Sequence, residues 1–146
     1  MVVDLLTIEE QAYTGFSHEV TVTYADLAAL PSGLTGTLTV SGLTKNQDII
    51  VRGALVTDTQ FTFSDAMTGC TASVGDSING TTSILAAQQI KSAATNVVAA
   101  VALAYSAAGN LTITLTGTGG TNLNSATAGQ FRVLFSKNSL SKFALV

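Results

Sequence analysis

The sequence predicts a mainly β chain: a single β-sandwich or jelly-roll-like barrel of about seven or eight strands with one short helix. Three observations predict it. Apolar residues alternate with Thr at a period of two along much of the chain. The alternating runs are rich in Val, Ile and Thr, which suit a pleated, half-buried surface. Turn residues separate the runs at short intervals, and no linker is long enough to divide the chain into two domains.

In chain order, residues 1–16 precede the first alternating run and form an N-terminal arm, and residues 17–146 form the sandwich domain. The arm carries Val2, Val3, Leu5, Leu6, Ile8, Tyr13 and Phe16. It reads equally as an exposed partner contact or as an extra edge strand or a cover for the core. Val20 and Val22 alternate with Thr21 and Thr23. Tyr24 to Leu30 reads as one or two helical turns, closed by Leu30-Pro31-Ser32-Gly33 with the only proline. Leu38 and Val40 alternate with Thr37, Thr39 and Ser41. Lys45-Asn46-Gln47-Asp48 then leads to a denser strand, Ile49 to Val56, where Gly53 marks a bulge.

Phe61 and Phe63 continue the pattern, and Cys70 to Val74 is another strand ending at Gly75-Asp76. Asn79-Gly80 is a turn. Residues 81 to 106 are Ala-rich, which favours helix. Thr81, Thr82 or Ser83 caps a helix over 83–91, and residues 97–105 stay open between helix and strand. Leu111, Ile113 and Leu115 form a strand followed by the flexible, glycine-rich loop Gly117 to Gly120. Phe131, Val133 and Phe135 share one face of the last strand, with Arg132 and Leu134 on the other.

Charge narrows the function. Charged residues are 10% of 146, against about 25% in ordinary soluble domains. Mean hydropathy is +0.44 and net charge is −3. So few ions leave a surface suited to being covered by other protein. The basic residues Lys45, Arg52, Lys91, Arg132, Lys137 and Lys142 are scattered, which argues against a nucleic-acid footprint or a polybasic membrane contact. The longest apolar runs fall short of a membrane span and are broken by Lys91, Thr95 and Asn96. Asp4, Glu9 and Glu10 do not fit a signal peptide, so folding in a cytoplasm is expected. Cys70, the single cysteine, reads as a small buried hydrophobe.

Chemistry is sparse. His18 is the only histidine, and no serine sits in a G-x-S-x-G elbow. Asp58, Asp65 and Asp76 fall near loops, where oxygen-rich clusters hold Ca²⁺, but solvated turn aspartates are the simpler reading. The loop Gly117 to Gly120 lacks the Lys-Ser/Thr of a phosphate cradle. No catalytic residue, metal or cofactor is expected.

The order of features resembles small virion structural proteins of tailed bacteriophages, of the capsid decoration (cement) and head-fibre type. The residues that carry the resemblance lie between about 17 and 136. They are His18-Glu19-Val20-Thr21-Val22-Thr23-Tyr24-Ala25-Asp26-Leu27, Phe61-Thr62-Phe63-Ser64, Ala72-Ser73-Val74-Gly75-Asp76, Leu111 to Thr116, and Ala126 to Phe135. The resemblance implies a β-rich, non-enzymatic module on the capsid exterior, made in the host cytoplasm. It would bind the major capsid protein at local three-fold or two-fold points and associate with itself as a trimer or, alternatively, a dimer. A fibre module binding a host-surface glycan is the other implication. Leu5, Leu6, Ile8, Tyr13, Phe16 and the outward-facing Leu134 are the interface candidates. Leu134 packing under the tail Phe143-Ala144-Leu145-Val146 is the alternative.

Overall fold

Segments with one apolar face can bury it only against another such face, and here they do so as two stacked sheets. The computed structural model describes residues 1–92 and 94–139. The chain runs β1 (Val2–Leu5), α1 (Ile8–Thr14), β2 (His18–Thr23), α2 (Tyr24–Ala28), β3 (Thr35–Thr44), β4 (Asp48–Phe63), β5 (Gly69–Asp76), β6 (Gly80–Gln89), β7 (Asn96–Ala104), β8 (Gly109–Thr118), a 3-10 turn (Leu123–Ser125) and β9 (Ala126–Ser139). The first sheet has the order β1-β2-β9-β4-β7 and the second β3-β8-β5-β6. Every pairing is antiparallel. The result is a mainly β sandwich with open edges rather than a closed barrel, and it has nine strands among the described residues.

The core lies between the sheets. Val20, Val22, Leu55, Phe131, Val133 and Phe135 face it from the first sheet; Cys70, Val74, Ile84, Leu111, Ile113 and Leu115 face it from the second. The helical turns expected after Tyr24 are α2, whose Leu27 is fully buried. Asp26 caps that turn by accepting from the Thr23 N–H at 2.8 Å, and it also pairs with the Met1 amine.

Residues 83–91, expected as a helix, are instead strand β6 and the turn after it. Tertiary hydrogen bonds override the helix preference of alanine. The Ile90 N–H donates to the Cys70 carbonyl and the Phe61 N–H to the Ile90 carbonyl, both at 2.9 Å. The open segment 97–105 is strand β7, whose side chains alternate strictly between exposed and half-buried. Gly53 is not the bulge itself. The nearest register shift of β4 falls between Ile50 and Arg52, and Gly53 pairs regularly with Ala99 and Phe135. A Cβ there would stand 2.3 Å from Ile84 Cγ2, so Gly53 makes room for Ile84 between the sheets. The tail Phe143 to Val146 lies outside the described residues.

Candidate interaction surface

The first sixteen residues form a strand, a helix and a cover. β1 pairs with β2 along Val2↔Thr21 to Leu5↔His18, making it the edge of the first sheet. α1 begins where a capping box closes: the Thr7 N–H donates to Glu10 Oε2 at 2.8 Å, and the Glu10 N–H donates to Thr7 Oγ1 at 3.3 Å. It ends at Gly15, in the left-handed region with φ 75°. None of its residues is buried. Leu5 is 69% exposed, Ile8 86% and Tyr13 95%. A seven-residue helix is unstable alone. This one is anchored at its ends, where the Leu6 N–H donates to the Ser17 carbonyl and Gln11 Nε2 to the Leu6 carbonyl.

Leu134 and Phe16, named as interface candidates, are buried, so Phe16 acts as the cover that was the other reading of the arm. They pack together with Ala54 in a second apolar cluster, backed by Leu6 and Val56. Leu134 does face away from the main core, but Leu6 and Phe16 pack on that outer face and cover it. The Arg52 guanidinium lies 5.7 Å from the centre of the Phe16 ring. Of the six candidates, Leu5, Ile8 and Tyr13 are exposed, Leu6 is half-buried, and Phe16 and Leu134 hold the segment down.

Register places Glu19, Leu134, Ala54 and Val98 in one row across the outer face of four strands. The row ends at Val98, 63% exposed and missed as a candidate. Its signal was the alternation in residues 97–105. Beside the row, Arg132 forks onto Asp58 through Nε and Nη2, at 2.9 and 2.8 Å, and reaches Glu19 at 3.3 Å. The Arg132 hydrogen bonds hold the Asp58 carboxyl below its usual range.

The groups singled out for chemistry, His18, Cys70 and the three aspartates, sit in the core or bond within the fold. His18 stacks on Phe135 with ring centres 5.1 Å apart. Burial, then the charge of Lys137, pushes its pKa down. Its Nδ1 lies 2.7 Å from Ser17 Oγ, but that hydroxyl also accepts from the Lys137 N–H at 2.8 Å and so fixes β9. Burial pushes the Cys70 thiol up to about 12. Asp58, Asp65 and Asp76 do not converge; each has its own partners. Among the described residues, no three His, Cys, Asp or Glu side chains gather as a metal would need.

Asp65 pins the glycine-rich loop, which was expected to be flexible. It accepts from the Thr121 and Asn122 N–H groups at 2.6 and 2.8 Å, and these bonds draw its pKa from 3.8 to about 2. A carboxyl lowered in the folded state stabilises the fold above its unfolded value and loses that contribution as pH falls through the folded one. Stability is therefore expected to drop between pH 3.8 and about 2. Urea unfolding across this window should show a shallower drop in Asp65→Asn, and equal slopes would refute the assignment.

No protein-family model and no curated protein matches this chain.

Proposed function

We propose that this protein is a non-enzymatic structural subunit of a phage virion. It binds the outside of the capsid and ties neighbouring major capsid protein subunits together. One observation carries the reading: an N-terminal helix with nothing buried, bearing exposed Ile8 and Tyr13, and preceded by an exposed Leu5. Large apolar side chains grouped on one segment mark a surface that another protein covers. The resemblance to decoration proteins names that protein as the capsid lattice. A charge-poor contact avoids stripping water from ions, and repetition over a shell multiplies weak contacts.

The test mixes the purified protein with expanded capsids and follows binding and capsid melting. Wild type is expected to bind and raise the capsid melting temperature. The triple variant Leu5→Ser, Ile8→Ser, Tyr13→Ser should keep its own melting temperature within a few degrees, because surface changes cost little (about 0.5 kcal/mol each), yet bind at least about 100-fold more weakly, as when interface anchors are lost. Wild type failing to bind, or the variant binding equally, would overturn the reading.

A further inference from the structure

We propose that two copies of this chain pair through the edge of β7, open among the described residues, antiparallel about a two-fold axis, so that two five-stranded sheets become one continuous sheet. The proposal goes beyond the capsid reading, because it rests on strand chemistry in the free protein.

Sequence and fold converge on this edge. Lys91 is the only charged residue between Gly80 and Tyr105. The two strands of that stretch are both edges: β7 ends the first sheet, β6 ends the second, and they pack against each other. Apart from Lys91, these two edge strands and the segment between them carry no charged residue.

Open edges are ordinarily blunted by short length, charge, proline or a bulge. β1 is four residues long and carries Asp4. β3 has Gly42 in the left-handed region and a register shift between Val40 and Thr44. β7 is nine residues long and has neither charge nor proline. Its pairing with β4 is unbroken from Asn96 to Ala100, and its one irregularity lies beyond, opposite Ile50 and Arg52.

A second copy is the occupant that this strand's lack of charge admits without repulsion. A two-fold contact sets a strand against itself, so any charge meets its like. β7 has none to meet. Residues facing one another across the pair must point to the same face of the sheet. Asn96, Val98, Ala100, Ala102 and Ala104 point outward, and Val97, Ala99, Val101 and Leu103 point inward. Every such register therefore sets uncharged residues opposite uncharged ones. Val98 gains most: the apolar row from Leu134 through Ala54 stops there, and a second copy continues it.

Sedimentation equilibrium and amide hydrogen exchange on the full chain, without capsids, test this. Wild type is expected at twice the 14.9 kDa chain mass, with slowly exchanging β7 amides along both edges. Ala100→Lys and Val98→Lys each alter an exposed position and set lysines against each other near the axis. Each should weaken self-association at least about 100-fold, leave the circular dichroism unchanged and release the outer-edge amides of β7. Leu5→Ser should leave the dimer intact. A monomeric wild type, a trimer, an assembly that survives both lysine variants, or one lost in Leu5→Ser would overturn the proposal.

Discussion

Gly129→Ala is expected to lower the melting temperature by about 10–20 °C. Gly129 has φ 129°, a conformation that L side chains rarely adopt. A Cβ there would also lie 2.5 Å from Phe61 Cγ and 2.7 Å from its Cα. Phe61 crosses at this point to reach Phe131, ring centres 5.9 Å apart. β4 carries an extra residue here, since Thr59 pairs with Gln130 and Thr62 with Ala128. Backbone strain of about 1–3 kcal/mol and crowding of about 1–3 kcal/mol combine to roughly 3–5 kcal/mol. At about 3–4 °C per kcal/mol, that gives the stated shift. Gly42→Ala separates the two effects, because Gly42 has φ 65° and nothing within 4 Å of its Cβ position. It should lose only about 1 kcal/mol. Equal losses at both positions would mean that Phe61 does not depend on the missing methyl group.

The second large loss is expected at Asp76, which is only 3% exposed. Its carboxylate accepts from Ser83 Oγ at 2.6 Å, from the Ile78 N–H at 2.8 Å and from the Tyr105 hydroxyl at 3.0 Å. Burial alone would raise its pKa, but these donors outweigh it and hold the value low. Asp76→Ala strands the buried Tyr105 hydroxyl and takes the acceptor from the part-buried Ser83 and Ile78 donors, at about 1–3 kcal/mol for each donor that water does not reach. A total of about 3–5 kcal/mol is expected in urea unfolding. Asp76→Asn keeps one acceptor and should cost less. Adding Tyr105→Phe to Asp76→Ala should recover part of the loss, because the stranded hydroxyl is then gone as well. Failure to recover any would mean that Tyr105 is satisfied without Asp76.

Strand β8 is legible in the residue order because only one of its faces is buried. Leu111, Ile113 and Leu115 are buried and alternate with less buried Thr, and that contrast is written directly in the residue order. β6 was misread because Ile84 and Leu85 are buried side by side and Ala86 and Ala87 are exposed side by side. A register shift against β5 breaks the alternation there, and alanine then supplied the stronger signal. The six interface candidates divided on a feature that lies outside any local pattern. Leu134 looks outward from its strand, as its position implies, but only the return of Phe16 across the sheet shows that this outward face is covered. Leu5, Ile8 and Tyr13 have no such cover among the described residues.

The strand order has a consequence for how the chain is born. β9, the last strand, sits between β2 and β4 at the heart of the first sheet. β2 and β4 have no bonded neighbour in common until residues 126–139 have left the ribosome. Such long-range closure is slow and leaves apolar edges bare while it waits. A pause in translation late in the message would therefore release more insoluble material than the same pause placed early.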